Sequence, residues 1–413
     1  MILNGKILAV VGGLLALSCM HTNYPDKMDL VLNTEVHKDS LPAPYVTEFD
    51  RYVRNNVNDS LTPGAAVAII KDGQIYLCKG YGVKQTHSVD SVNEHTVFRI
   101  ASVSKGFASV LTGTLVQEGL LSWDDKVVKY LPDFKLHDKK NTENLTIRHI
   151  LSQSTGLPGH TFTNMIEAGV PFANLRKKLS EVTPIAPVGT VYTYQNVIYS
   201  VIADILEKAT GKTYETLLKE KLFIPLGLND ASASFEGFQN SGNHAYPHVR
   251  TWGGLKETKT TSEYYSVLPA AGVNASISDM AQWLKALMGY RQDVLHQDIL
   301  KEVTTPQVVA TKRRSSHFAK WVKVQGTFYG LGWRIINFGN DTLVYHGGFI
   351  NGFRSEVAFD PIDKVGVVIL SNGPGAFVNE AIPYFFNLFY ENRDKEALKH
   401  TAGTSTANHF ARH

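Results

Sequence analysis

Cysteine and charge are both scarce in this chain. Of its 413 residues only two are cysteines, Cys19 and Cys78, so at most one disulfide bond can form between them. Charged residues make up 19% of the sequence, and the formal net charge is only +3. No basic stripe interleaved with aromatic residues occurs, which argues against a nucleic-acid partner. The hydrophobic fraction of 43% is typical of a packed globular protein rather than a disordered one.

The N-terminal apolar run is too short to cross a bilayer. It extends from Ile7 to Leu17 after a single lysine, Lys6. Its length is typical of a signal-peptide core, and its end at Ala16-Leu17-Ser18 fits signal cleavage. We therefore predict that residues 1–18 are a signal peptide and that the protein is exported. A short buried N-terminal helix is the alternative, which the abrupt polar continuation disfavours.

Cys19 directly follows this core and resembles the lipid-attachment cysteine of bacterial lipoproteins. Ala16 and Leu17 depart from the usual pattern before such a cysteine, so the localisation is predicted as either periplasmic or membrane-anchored through a lipid. Cys78 lies in the apolar-rich segment "QIYLCKGYG" and is predicted to be a buried free thiol in a strand. A disulfide between the two cysteines requires that Cys19 carries no lipid.

The order of the predicted elements indicates an α+β fold. Residues 19–45 are polar and are predicted to be a tether, residues 46–391 a single domain, and residues 392–413 a disordered tail. The domain begins with two apolar runs joined by Asp72-Gly73, a strong hairpin signal, and its last third returns to strands. Between them, residues 126–310 are mainly helical, and a final helix is predicted from about Ala376 to Tyr390. We expect an antiparallel sheet built from both chain ends, flanked by helices, with an inserted helical region.

A Ser-x-x-Lys sequence, Ser102 to Lys105, begins a helix predicted to end at about Glu118. At about 100° per residue the two side chains lie roughly 60° apart on the helix and are within reach of each other. A cation in the first turn opposes the helix dipole, and the same field favours a neutral amine. The alternative is that Ser102 caps the helix and Lys105 is solvated. Taken alone, the stretch favours that alternative, because the pattern often arises by chance.

Two further elements change this interpretation. Tyr194-Gln195-Asn196 and His346-Gly347-Gly348 follow in that order, within the segments "PVGTVYTYQNVIYS" and "LVYHGGFINGFRSEVAFDP". With "TIRHILSQSTGLPGH", "AAGVNASISDMAQWL" and "YGLGW", they resemble the serine β-lactamase and penicillin-binding superfamily, specifically its class C β-lactamase and DD-peptidase branch with the esterase relatives. The resemblance extends from about Val46 to Tyr390.

This resemblance implies a role for each matching residue. Ser102 would be the acylated nucleophile, and Lys105 would hold or take its proton. Tyr194 would be the general acid/base, and Lys105 with the third-element histidine would be neighbouring cations that stabilise its phenolate or share its proton. Asn196 would bind Lys105 and the substrate amide. The backbone N–H groups of Ser102 and Phe349 would form the oxyanion hole.

The third element departs from the β-lactamase pattern of lysine, threonine and glycine. His346 can be neutral at pH 7, so its attraction for a substrate carboxylate would be weak or pH-dependent, which puts efficient β-lactam hydrolysis in question. Gly348 would allow close backbone approach to a ligand. His346 and Gly348 are predicted to contact substrate, as is His160 in the loop that lines the pocket.

The resulting functional prediction is an exported serine hydrolase that forms an acyl-enzyme on an amide or ester carbonyl. The leading substrates are D-Ala peptides of peptidoglycan and β-lactams. The alternatives are a carboxylesterase or another amidase, and a penicillin-binding sensor or scaffold without turnover. No cofactor or metal is implied. His244 and His248 have ligand-like spacing, but Pro247 makes a helical pair improbable, so this segment is predicted to be a loop. A monomer is expected.

Overall fold

The computed structural model describes residues 43–57, 62–311, 318 and 321–410, with side chains to residue 399 apart from that of residue 311. The segment predicted as a signal peptide, Cys19 and nearly all of the tether predicted for residues 19–45 lie outside the described residues. The first helix begins at Pro44, two residues before the predicted start of the domain.

The described residues form twelve strands. They are β1 (Gly64–Lys71), β2 (Gln74–Gly82), β3 (Phe98–Arg99), β4 (His248–Thr251), β5 (Gly254–Glu257), β6 (Asn274–Ala275), β7 (Val308–Thr311), β8 (Val324–Tyr329), β9 (Arg334–Phe338), β10 (Asp341–Ile350), β11 (Phe353–Asp360) and β12 (Val365–Ser371). Eight of them make one antiparallel sheet in the order β2-β1-β12-β11-β10-β9-β8-β7. The first and last strands in the chain are neighbours, with Ala65 opposite Ser371. The predicted sheet from both chain ends is confirmed.

The helices lie mainly between the two groups of sheet strands. They are α1 (Pro44–Asn56), α2 (Ser104–Gln117), α3 (Val127–Tyr130), α4 (Lys139–Asn144), α5 (Ile147–Leu151), α6 (Thr163–Glu167), α7 (Phe172–Lys178), α8 (Val197–Thr210), α9 (Tyr214–Leu218), α10 (Ile224–Leu226), α11 (Phe235–Gln239), α12 (Leu268–Ala271), α13 (Ile277–Leu287), α14 (Gln297–Thr304) and α15 (Phe377–Phe410). Within the described residues no helix is both long and apolar enough to cross a bilayer.

The sheet is buried on both faces, which explains the continuous apolar sequence of β1. Ala66, Ala68 and Ile70 point into a core shared with the helical region. Ala65, Val67 and Ile69 point into a second core, which α1 and α15 cover. Since successive side chains of a strand point to opposite faces, a strand between two helical layers has no position for a polar residue.

The turn between β1 and β2 is the predicted Asp-Gly hairpin. Asp72 and Gly73 both have positive φ, 51° and 76°, as a two-residue turn between right-handed twisted strands requires. Cys78 in β2 is a half-buried free thiol, and burial raises its pKa to about 12. The predicted free thiol in a strand is confirmed.

The last helix is longer than predicted. Helix α15 continues to Phe410, so most of the segment predicted as a disordered tail, residues 392–413, is helical. The segment that continues the helix, "DKEALKH", is rich in good helix formers. Arg393 also ties it to the sheet through ion pairs with Asp341 (2.9 Å) and Asp363 (2.6 Å). The prediction of disorder was wrong because low apolar content was given more weight than helix propensity.

Candidate active site

Ser102 lies in a tight turn directly before α2. The turn spans Ala101–Val103, and the α-helix itself begins at Ser104, two residues later than predicted. Ala101 has a φ of 47°, which costs energy for a residue with a side chain. The Ser104 hydroxyl holds this conformation by donating to the Ala101 carbonyl (2.6 Å) and accepting from the Val273 N–H (3.0 Å). Ser102 is thus fixed at the N-terminal end of a buried helix.

Lys105 is fully buried and faces three oxygen atoms. Its Nζ lies 2.8 Å from Asn196 Oδ1, 2.9 Å from the Ala270 carbonyl oxygen and 3.4 Å from Ser102 Oγ. Burial and, next, the charge of Arg334 lower the lysine pKa far below its ordinary value. A neutral amine has two hydrogens and one lone pair. The amide and carbonyl oxygens accept the two hydrogens, so the lone pair is left for the Ser102 hydroxyl.

Tyr194 completes the contact with Ser102. Its hydroxyl faces the Ser102 side chain, and its ring centroid lies 4.6 Å from Lys105 Nζ. Burial raises the Tyr194 pKa, and this effect exceeds the opposing influence of Ser102 and Arg334. Burial thus favours the neutral phenol in the resting site, and the general acid/base role of Tyr194 stays a prediction.

The loop that carries Tyr194 and Asn196 is fixed by a glutamine. Gln153 accepts from the Gln195 N–H (2.8 Å) and donates to the Gln195 carbonyl (3.0 Å), as a neighbouring strand would. The His160 N–H donates to the Tyr194 carbonyl (2.8 Å). The backbone on both sides of the Tyr194 side chain is thus held, so the hydroxyl stays beside Ser102.

Strand β10 brings the third element against the nucleophile turn. A Cβ atom at Gly348 would lie 2.4 Å from the Ile100 carbonyl oxygen, which also accepts a hydrogen bond from Ser355 Oγ (2.6 Å). Only glycine allows this approach. The next residue, Phe349, has 61% of its surface exposed. The predicted oxyanion-hole residues Ser102 and Phe349 thus lie on two backbone segments in direct contact.

We expect Gly348→Ala to slow acylation of Ser102 by about 100-fold, because a backbone shift of about 1 Å at a reacting group has that effect. Overpacking should also lower the free energy of unfolding by about 1–3 kcal/mol. Gly159→Ala is the matched control, since a Cβ there would meet nothing closer than the Tyr194 carbonyl oxygen at 3.8 Å. Acylation kinetics and thermal unfolding measure both effects. Equal behaviour of the two variants would contradict the prediction.

His346 is turned toward the protein rather than toward a substrate. Its Nδ1 lies 2.9 Å from the Gly347 carbonyl oxygen and its Nε2 3.1 Å from the Tyr329 hydroxyl. Because a carbonyl oxygen only accepts, Nδ1 carries a hydrogen, and both ring nitrogens are engaged within the protein. The expected direct contact of this histidine with a substrate carboxylate does not fit that geometry. The exposed His160 lies at the site, with its ring centroid 5.8 Å from that of Tyr194.

Arg334, the first residue of β9, is a site residue that the sequence analysis missed. Its guanidinium carbon lies 5.5 Å from the Tyr194 ring centroid and 5.8 Å from those of Tyr192 and Tyr329. It donates a hydrogen bond to the Tyr192 hydroxyl (3.0 Å). The available signal was a cation directly after the "YGLGW" segment.

The two histidines with ligand-like spacing are engaged elsewhere. His248 starts β4, rather than lying in a loop as predicted, and its ring contacts the Asn372 carbonyl oxygen (2.9 Å) and the Thr86 N–H (3.2 Å). The ring of His244 packs at 4.8 Å from that of Phe238. Their different partners explain the spacing without a shared ligand.

Residues 49–385 match the family described as Beta-lactamase. The chain belongs to the Beta-lactamase family. Among similar proteins, Protein flp of Staphylococcus aureus is 23% identical over 350 residues, which cover 82% of this chain and 65% of that protein. Unguisins hydrolase ungD' of Aspergillus campestris is 27% identical over 340 residues, 80% of this chain and 62% of that protein. The Beta-lactamase-family chain thus spans less than two thirds of the length of these relatives.

A solved structure supports the same fold. The octameric penicillin-binding protein homologue from Pyrococcus abyssi superposes with a TM-score of 0.73 and 24% sequence identity, covering 84% of this chain and 77% of that chain. The predicted superfamily and its α+β fold are therefore confirmed. The narrower class C branch within the Beta-lactamase family stays a prediction.

Proposed function

We propose that this protein is a serine hydrolase that forms an acyl-enzyme on Ser102 and acts on amide or ester carbonyls. The observation that carries the proposal is the environment of Lys105. Its buried Nζ lies within hydrogen-bond distance of two oxygen acceptors and of Ser102 Oγ, so a neutral amine can give its two hydrogens to the acceptors and keep its lone pair for Ser102. A lysine arranged in this way is a general base for a serine hydroxyl.

The reaction follows from these positions. Ser102 Oγ attacks the carbonyl carbon while its proton passes to Lys105 Nζ, and the oxyanion is stabilised by the N–H groups of Ser102 and Phe349. Collapse of the tetrahedral intermediate breaks the bond to the leaving group, which takes a proton from Tyr194; Lys105 returns its proton to Tyr194. A water molecule then gives a proton to Lys105 and Tyr194 and attacks the acyl-enzyme ester. Collapse of this second tetrahedral intermediate releases the carboxylic acid product, and Ser102 Oγ takes the proton back.

The leading substrates are D-Ala peptides of peptidoglycan and β-lactams, and a carboxylesterase or other amidase is the alternative. The similarity to a protein named as a hydrolase of unguisins supports turnover over binding alone. So does the complete set of Ser102, Lys105, Tyr194 and Asn196, since a sensor or scaffold does not need a neutral buried lysine beside a serine.

Intact-mass spectrometry tests the acyl-enzyme. The folded protein and Ser102→Ala are each mixed with penicillin, a D-Ala-D-Ala peptide and a short-chain aryl ester. A covalent adduct on the wild type and none on Ser102→Ala is the expected result. Slow release of a penicillin adduct would indicate a DD-peptidase, and rapid ester turnover without that adduct would indicate an esterase. The proposal fails if a folded wild type gives neither an adduct nor turnover with any of the three.

We also propose export, with Cys19 as the point of lipid attachment, supported by the apolar run from Ile7 to Leu17 directly before it. The test compares membrane partitioning of the wild type with that of Cys19→Ser in a bacterial host. The variant should move to the soluble periplasmic fraction. A variant that still partitions into membranes would exclude lipidation of Cys19 as the anchor.

A further inference from the structure

Arg334 is a half-buried cation placed among tyrosine rings, where its charge costs stability. Its side chain is half-buried, and three tyrosine rings lie around the guanidinium. Within the described residues it forms no ion pair with a carboxylate. Its hydrogen bond is to a neutral phenol, Tyr192. Removing a charge from water is expensive unless an opposite charge compensates it. A cation that lacks a carboxylate partner, next to a reactive group, is a destabilising feature that indicates a function.

Arg334 lies close to both groups that transfer protons in the site, Tyr194 and Lys105. The Tyr194 ring centroid lies 5.5 Å from the Arg334 guanidinium carbon and 4.6 Å from Lys105 Nζ. A permanent cation and an amine that must be neutral to accept a proton thus both lie close to one aromatic ring. Like charges in a low-dielectric site repel strongly, so a charged Arg334 opposes protonation of Lys105.

The other candidate for this charge is His346. Its Nδ1–H is used by the Gly347 carbonyl and its Nε2 contacts the Tyr329 hydroxyl, an arrangement that suits the neutral ring. Its ring centroid is also 6.3 Å from that of Tyr194. A guanidinium is charged at every pH in the working range, whereas an imidazole is not.

We propose that Arg334 is a positioning residue for the acylation of Ser102, whose fixed charge keeps the Lys105 amine neutral so that it can take the serine proton. This inference rests on the proposed function. It assigns the permanent cation near Tyr194 to a residue outside the three signature elements.

The electrostatics of the site agree with this assignment. Burial is the largest cause of the lowered Lys105 pKa, and Arg334 is the charged group that adds to it. Arg334 also opposes the rise in the Tyr194 pKa that burial causes. Other titratable groups surround Lys105, Tyr194 and Arg334. Two are histidines, His160 on the pocket loop and His346 on β10. Three are tyrosines, Tyr192 before α8, Tyr199 on α8 and Tyr329 on β8. Arg334 also faces Tyr345 on β10 and the buried carboxyl of Glu356 on β11, whose pKa burial raises to about 8 and Arg334 lowers.

The test is the pH dependence of Ser102 acylation in Arg334→Met and Arg334→Lys. An aryl fluorophosphonate serves as the probe, and its second-order rate of reaction is measured from pH 6 to 10. Without the repelling charge Lys105 holds a proton to higher pH, so the acid limb of Arg334→Met should move up by at least about one pH unit. A shift of that size reduces the rate at pH 7 about tenfold and leaves the rate at high pH nearly intact. Arg334→Lys should keep the wild-type limb.

His346→Gln provides the comparison, and its acid limb should stay in the wild-type position. A uniform loss of rate at all pH values in Arg334→Met would overturn the inference and indicate a packing role. A shifted limb in His346→Gln with an unshifted limb in Arg334→Met would also overturn it. Thermal unfolding shows whether each variant is folded. Arg334→Gln is used in place of Arg334→Met if the methionine variant does not fold. An unlabelled wild type would instead refute the proposed acyl-enzyme, so the two failures are distinct.

Discussion

Lys105→Met is expected to lower the rate of Ser102 acylation by about three orders of magnitude. The substitution keeps an unbranched side chain of similar length in the buried site but removes the lone pair that receives the serine proton. General-base catalysis by a positioned side chain contributes about 10²–10⁴-fold, and here the base also holds Asn196 and the Ala270 carbonyl. The measurement is the acylation rate with the aryl ester, followed by intact mass. Lys285→Met, in which a half-buried lysine of α13 is lost, should leave the rate unchanged.

Lys105→Met should also change how the free energy of unfolding depends on pH. The Lys105 pKa is lowered on folding, so below the ordinary lysine pKa the unfolded chain binds more protons than the native chain. Its contribution therefore makes the wild type more stable as the pH rises toward that ordinary value, and Lys105→Met lacks this gain. The free energy of unfolding of the variant, relative to the wild type, should fall between pH 7 and pH 10. A difference that does not change with pH would mean that the native lysine is charged.

Local sequence patterns were sufficient for the sheet and for the pairing of Ser102 with Lys105. The hairpin at Asp72-Gly73 depends on two residues that tolerate positive φ, and the reach between Ser102 and Lys105 depends on their three-residue spacing across the start of α2. Such features are set within a few residues of one another. The pairing of the first strand with the last followed from the order of elements, because an antiparallel sheet with a helical insertion brings both chain ends together.

The parts that could not be predicted depend on neighbours far apart in the chain. Arg334 meets Tyr194 because the residue after "YGLGW" begins the strand next to β10, a register that the sequence does not display. The hydrogen bond that turns His346 away from a substrate comes from Tyr329 on β8. The protonation state of Tyr194 depends on burial, whose effect on its pKa outweighs that of Arg334. The family resemblance supplied residue roles, and only the packing determines the charge of each group.

Tyr194→Phe is expected to separate substrates by their leaving groups. The substitution keeps the ring that packs between Lys105 and Arg334 but removes the hydroxyl beside Ser102. If Tyr194 is the acid that protonates the leaving group, an anilide, whose nitrogen cannot leave without a proton, should lose about 10²–10⁴-fold in rate. The p-nitrophenyl ester of the same acyl group, which leaves as a stable anion, should lose far less during acylation. The Tyr194 hydroxyl also accepts a proton from the water that hydrolyses the acyl-enzyme. The acyl group that the ester transfers to Ser102 should therefore persist longer in Tyr194→Phe than in the wild type.

Tyr192→Phe is the matched control for this experiment. Tyr192 lies two residues earlier and accepts a hydrogen bond from Arg334, so its variant also removes one buried hydroxyl near the same cation. It should affect the anilide and the ester equally and modestly, since that hydroxyl is bonded to Arg334 while the Tyr194 hydroxyl contacts Ser102. Equal losses on both substrates in Tyr194→Phe would show that this tyrosine positions Ser102 without giving a proton to the leaving group. Lys105 would then be the group that both takes the serine proton and delivers it.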